Sequence, residues 1–204
     1  MGELTGMVKF KGKVGDMVGY RFNGRNMVRK AKGKNSNNPS PAQERQQARF
    51  KELVPVAKVV NDWDKRYLSA SLKMSAYNNF LKCNAKYLKL EDSEIENIVF
   101  PQSYRFEDSL QASDLSLSGK TLTFTVSAFP DTITEALTVV YVPAKDGNSI
   151  SGDRAFAKVV KEAGSQTVKI PLPIESGNDV FVFVQGGDSK KDLMPVSVAH
   201  VVAG

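Results

Sequence analysis

Cysteine, histidine and tryptophan each occur once in this chain of 204 residues, and each scarcity closes off a chemistry. The single thiol, Cys83, cannot form a disulfide within the chain. Its neighbours Phe80, Leu81, Tyr87 and Leu88 stand at helical spacing and predict a buried thiol. The single imidazole, His200, leaves no local set of histidine, cysteine and carboxylate at zinc-ligand spacing. It shares strand parity with Val196 and Val198, which predicts a packed or rim residue. No apolar run is long enough to cross a bilayer as a helix, and the N-terminus lacks the continuous apolar stretch of a Sec signal. The expectation is a cytoplasmic or particle-associated protein that uses neither a Sec signal nor a membrane span. Gly-x-Ser-x-Gly, Walker, dinucleotide and metalloprotease patterns are also missing. Asp62 and Asp64 flank Trp63, but two residues apart on a helix they do not face each other. No catalytic residue, metal ligand or cofactor is implied, and a non-enzymatic protein is expected.

What the chain does have is charge, unevenly placed. Residues 1–34 sum to +7, residues 35–90 to +6 and residues 91–204 to −7. A basic arm can neutralise phosphates and release counterions, the sequence-independent part of nucleic-acid binding. A polarised molecule can also attract the opposite end of its neighbour and steer assembly into a homo-oligomer. A third reading is that the charges keep the protein soluble and nothing more.

The arm has definite geometry. Met17-Val18-Gly19-Tyr20-Arg21-Phe22 runs into Asn23-Gly24, then Arg25-Asn26-Met27-Val28-Arg29-Lys30. Asn-Gly is the strongest short hairpin signal, because a type I′ turn needs positive φ at both central positions. Lys9, Lys11 and Lys13 share one parity and would line one face of an extended strand, either for solvation or for binding. Arg21, Arg25, Arg29 and Lys30 interleave with Tyr20 and Phe22, a pattern suited to gripping phosphate beside aromatic faces. Equally, Tyr20 and Phe22 share a parity and could be the buried side of the hairpin. A two-stranded hairpin is marginal alone in water, so this one must dock on something.

Beyond the polar stretch 34–39 the pattern becomes helical. Ser40 can cap, Pro41 suits the first helical position and Gln43 completes a capping box. Ala42, Gln46, Arg49, Phe50, Leu53, Val54 and Ala57 follow at near-helical spacing, then Val56, Val59, Val60 and Trp63. Pro55 should kink or divide this helix. A second helix is predicted over 72–88, with Met74, Tyr77, Phe80, Leu81, Ala85 and Leu88 inward. The acidic run Glu91-Asp92-Ser93-Glu94-Ile95-Glu96 reads as a linker, since it lacks the ligand spacing of a calcium loop. From there the apolar period is two. Strands are predicted at 115–117, 122–126, 137–142, 155–160, 167–172, 180–184 and 196–202, with turns at 118–120, 146–148, 164–165, 176–178 and 186–188.

The order Gly12-Lys13-Val14-Gly15, Val18-Gly19-Tyr20, Gly24, Val28-Arg29, Ser40-Pro41-Ala42-Gln43 and Arg49-Phe50 resembles a family of unknown-function proteins from Bacteroidota. Met74-Ser75-Ala76-Tyr77-Asn78 resembles its second-helix signature. The resemblance implies a strand-rich C-terminal half and no particular activity. A similar arm and helix start in small phage-encoded proteins implies a structural protein of a phage or related element.

The resulting expectation is an α+β protein: a basic β-arm over 1–38, a helical hairpin over 39–90 and an antiparallel β-sandwich of fibronectin or immunoglobulin type over 91–204. Its arm, through Lys9, Lys11, Lys13, Tyr20, Arg21, Phe22, Arg25, Arg29 and Lys30 around the Asn23–Gly24 turn, would contact neighbouring subunits or, alternatively, nucleic acid. A plain carbohydrate- or protein-binding sandwich is a third reading, but no aromatic cluster marks a strand face.

Overall fold

A computed structural model of the chain describes residues 2–3, 11–22, 24–33, 38–68, 74–87, 95–143, 155–170 and 174–204. Lys9, Asn23, the acidic residues 91–94 and the predicted turn at 146–148 lie outside these. The protein has an α+β fold in two compact units, residues 1–40 and 41–204.

The first unit is an antiparallel sheet of four strands in the order β1-β4-β3-β2, with β1 at Gly2–Glu3, β2 at Gly12–Val14, β3 at Met17–Phe22 and β4 at Arg25–Lys30. Phe22 pairs with Arg25 and Met17 with Lys30. Gly24 takes φ +79°, a conformation open to glycine because it has no Cβ to clash with the following carbonyl. A second tight hairpin brackets Gly15 and Asp16, with Val14 opposite Met17 and Gly15 at φ +57°. The arm is therefore a meander rather than one hairpin. Gly15-Asp16 between the apolar residues Val14 and Met17 was its sequence signal.

The second unit begins with α1, Pro41–Leu68. Pro55 lies inside α1 and does not divide it. The buried stripe starts later than the apolar spacing suggests, because Ala42 and Gln46 are exposed and Phe50 is 41% exposed. From Leu53 onward, Val56, Ala57, Val60, Trp63 and Tyr67 are buried at three- and four-residue intervals. α2 spans Ala76–Cys83, shorter than predicted. Ser75 Oγ caps it by accepting from the Asn78 amide at 3.2 Å, and Asn61 Oδ1 of α1 accepts from the Tyr77 amide at 3.2 Å. Two side chains expected inward, Met74 and Ala85, are exposed, as is Cys83. Met74 precedes the Ser75 cap and Ala85 lies beyond the Asn84 C-cap, so neither belongs to α2. Asn84 is itself buried and fastened to the Val99 backbone, accepting at 2.8 Å and donating at 2.8 Å.

Seven strands follow among the described residues. β5 (Ala112–Ser118), β6 (Thr121–Val126) and β9 (Gly164–Lys169) form one antiparallel sheet in the order β5-β6-β9. β7 (Ile133–Tyr141), β8 (Ala155–Val160), β10 (Asp179–Asp188) and β11 (Ser197–Val202) form another, in the order β11-β10-β7-β8. Two cores result. Leu137, Val139 and Tyr141 of β7 and Phe181 and Phe183 of β10 join the α1 stripe and Phe80. The alternate residues Ala136, Val140, Val180, Val182 and Val184 join Leu122, Phe124 and Val126 of β6. β7 and β10 are thus covered on both faces, which explains their near-continuous apolar sequence. In the first of these cores, apolar residues from helices and strands pack together.

Two predicted turns are strand instead. Gly164-Ser165 begins β9, and Gly186-Gly187-Asp188 ends β10 with all three residues buried. Gly186 and Gly187 answer close packing: a Cβ on Gly187 would lie 2.6 Å from the Tyr67 ring, and one on Gly186 2.7 Å from Met194 Sδ.

Candidate interaction surface

In an antiparallel pair, residues directly opposite each other project to the same face, so register sorts the arm's side chains. Val18 pairs with Arg29, Tyr20 with Met27 and Phe22 with Arg25, while Lys13 of β2 pairs with Val18. One face therefore carries Lys13, Val18, Tyr20, Phe22, Arg25, Met27 and Arg29. Lys11, just before β2 and exposed, shares Lys13's parity. The Arg29 guanidinium lies over the Tyr20 ring, 6.0 Å from its centroid, which places the two side chains together. The opposite face carries Val14, Met17, Arg21, Asn26, Val28 and Lys30. The interleaved cations of the sequence are thus split: Arg25 and Arg29 stand with the aromatics, whereas Arg21 and Lys30 stand behind them. Arg21 also turns back on the loop, donating from Nε to the Gly24 carbonyl at 3.4 Å.

Among the described residues of this unit only Gly19 is buried. Val14, Met17 and Phe22 are 59%, 51% and 60% exposed. The strands are held by backbone hydrogen bonds and local cross-strand contacts, with large apolar groups left uncovered.

The polar groups of the second unit do a different job. Trp63 donates from Nε1 to Gln185 Oε1 at 3.2 Å, and Gln185 Nε2 donates to the carbonyls of Pro101 and Met194 at 2.7 and 2.9 Å. Arg66 spans both Glu135 oxygens at 3.1 and 3.2 Å and lies 4.8 Å from the Trp63 ring centroid. Tyr67 donates its hydroxyl to Glu135. Burial and that carboxylate push its ionisation up. Arg105 bridges Asp188 at 2.6 Å and Asp192 at 3.1 Å. Each charge here has a partner, and the set ties α1, β7 and β10 together. His200 stacks on Phe181 at 4.6 Å between centroids and meets Asp179 Oδ1 at 2.8 Å. It is a rim residue.

Asp64 is the exception. It is fully buried, and neither carboxylate oxygen has a hydrogen-bond partner. Burial raises its pKa from 3.8 to about 7. Cys83 reaches solvent, but partial covering of its thiol still raises its pKa, with the Asp64 charge adding to the effect. The sequence clue was helical position: Asp64 falls four residues after Val60, inside the apolar stripe. Among the described residues no cluster of three or more metal-ligating side chains occurs. No helix among them is long and apolar enough to cross a membrane.

No family model and no curated protein matches the chain. A solved structure with local likeness is a polysaccharide deacetylase from Bacillus cereus, at 11% identity and a TM-score of 0.34. The match covers 47% of this chain and 30% of that protein. A likeness so partial says nothing about activity.

Proposed function

We propose that this protein is a non-enzymatic structural protein, of a phage or related element, whose basic arm holds it to neighbouring subunits. It would reside in the cytoplasm or in the particle it helps to build. The observation that carries this reading is the arm itself: four paired strands with exposed large apolar groups and one buried residue, Gly19, among those described. A sheet without its own core gains stability when another surface covers it. The charge partition of +13 over residues 1–90 against −7 over 91–204 offers such a surface on a neighbour.

We read the β-region as a fibronectin-type sandwich. Its first, second and fifth strands form one sheet and its seventh, sixth, third and fourth the other, with side chains of both sheets in one apolar cluster. In the constant-type immunoglobulin arrangement the fourth strand sits with the first, second and fifth, which favours the fibronectin type here.

Deleting residues 1–34 tests the assembly reading. The expected product is a folded monomer that unfolds cooperatively, while the full chain associates in light scattering. A full chain that stays monomeric at high concentration overturns the reading. Nucleic acid is the second reading, favoured by the density of cations in the arm. It requires sequence-independent binding that weakens steeply with salt, at a slope that falls when Arg21, Arg25 and Arg29 become Ser.

A further inference from the structure

Asp64 is fully buried on α1 with both carboxyl oxygens unpartnered, a feature that the arm and its contacts do not explain. We propose that α2 is a proton-controlled latch, which stays seated on α1 while the Asp64 carboxyl holds its proton and opens as that carboxyl ionises.

Helical geometry places Asp64 on the α2 side of α1. Trp63 and Tyr67 meet β10, at Gln185 and Gly187. Asn61 meets α2 by accepting from the Tyr77 amide at 3.2 Å, and Asp64 follows it by three residues on the same flank. From there its charge reaches Cys83, the last residue of α2. A neutral carboxyl can be kept in a dry, unpartnered site far more cheaply than a carboxylate, which must then either find a partner or meet water. α2 is the element able to yield. It has eight residues, of which Ala76 and Phe80 are buried, whereas β7 and β10 each bury a longer run. Opening α2 would hydrate Asp64, release its proton to bulk water and uncover the Phe80 ring.

The ionisable groups on the elements packed around α1 leave Asp64 uncompensated. α2 presents Tyr77, Lys82 and Cys83; Lys82 is exposed, and its charge acts on Cys83. Past α2, Lys86 and Glu96 are exposed and Tyr87 donates its hydroxyl to Glu52. On β7, Glu135 is engaged by Arg66 and Tyr67, and Tyr141 donates to the Glu52 carbonyl. On β8, Lys158 is exposed. On β10, Asp188 is bridged by Arg105. Within α1, Lys65 pairs with Asp62. Burial alone sets the Asp64 titration, at about 7, and none of these cations offsets it.

Amide hydrogen exchange of the full chain tests the latch, with each rate corrected for the intrinsic effect of pH. An opening that releases one proton becomes roughly tenfold more frequent per pH unit between the exposed and the buried titration of the carboxyl, from 3.8 to about 7, and levels off above. The amides of Asn79 and Asn84, bonded to the Ser75 and Phe80 carbonyls, report the state of α2. Their protection should fall roughly tenfold or more between about pH 5 and about pH 7.5. The Val182 and Val184 amides of β10 should stay better protected throughout, because they exchange through a larger opening. Asp64→Asn should make the α2 protection independent of pH over this range. A flat profile in the parent protein overturns the latch whatever the variant does. A fall that persists in Asp64→Asn overturns the assignment to Asp64. Equal protection of α2 and β10 at every pH would mean that α2 opens only when the whole unit unfolds, and the latch would again be rejected.

Discussion

The arm and the helix-strand unit obey opposite rules. In the second unit, Trp63, Phe80, Phe100 and Phe183 are essentially inaccessible, and polar groups such as Gln185 spend their hydrogen bonds inside the protein. In the arm, backbone pairing is complete enough to set register across four strands, yet nearly every described side chain reaches solvent. Hydrogen bonds alone contribute little net stability, since each replaces one made with water. Apolar burial is what stabilises a fold, and it is concentrated in residues 41–204. The arm's exposed side chains are available for recognition because they are not used for folding. On the proposed assembly reading, stability and contact fall to different segments.

Truncating one large aromatic in each unit should break this symmetry most sharply. Trp63→Ala removes a buried ring and orphans Gln185 Oε1 in the core, so unfolding stability should fall by about 3–5 kcal/mol. Phe22→Ala removes a ring that is 60% exposed, and the global unfolding free energy should move by less than about 0.5 kcal/mol. Urea melts of the two variants measure both. Comparable losses would mean that the arm folds into the same cooperative unit as the helices and strands.

Asp64 supplies the next largest effect, in the second unit alone. Its pKa is raised on folding, so the folded state holds the proton more tightly than the unfolded chain does. The favourable contribution is complete below about pH 4 and is lost as pH rises through about 7. The carboxylate then carries a desolvation penalty on the order of 2–4 kcal/mol. The Asp64 charge in turn adds to the upward shift of the Cys83 thiol. Asp64→Asn removes the titration, so the variant should gain stability relative to the parent at pH 8 and little at pH 4. Denaturant unfolding at the two pH values decides it; a pH-independent difference would mean that Asp64 is paired or hydrated in solution.

The switch from helical to alternating spacing made the α+β class legible, because each period follows from backbone geometry alone. Helix α1 was visible in Ser40-Pro41 and in the stripe from Leu53 to Trp63. Its exposed first turns were not, because a pattern records which residues could be buried and not how far the covering surface extends. Gly186-Gly187 looked like a turn for a related reason. Glycine marks both loops and close approaches, and only the Tyr67 ring, far away in sequence, decides between them. In the arm, parity placed Tyr20 with Phe22 correctly on one side of β3. Assigning Arg25 and Arg29 to that side required the β3–β4 register, and adding Lys13 required the unforeseen Gly15-Asp16 hairpin.

Glycine substitutions give the smallest and most discriminating comparison. At Gly187 the obstacle is a neighbour: a new Cβ would sit 2.6 Å from the Tyr67 ring, where both residues are buried. Gly187→Ala should therefore cost about 1–3 kcal/mol by overpacking and lower the melting temperature of the second unit. At Gly24 there is open space, with nothing within 4 Å of an added Cβ, and the obstacle is the backbone itself at φ +79°. Gly24→Val should cost about 1–2 kcal/mol within the arm. It should leave the main melting transition in place while weakening self-association, because the β3–β4 register that brings Arg25 beside Phe22 depends on that turn. Gly24→Ala should be milder in the same direction. If Gly24→Val associates like the parent, the turn does not set the geometry of the contact and the arm acts as a basic tail. If it instead lowers the main melting transition as Gly187→Ala does, folding and contact are not divided between the two units.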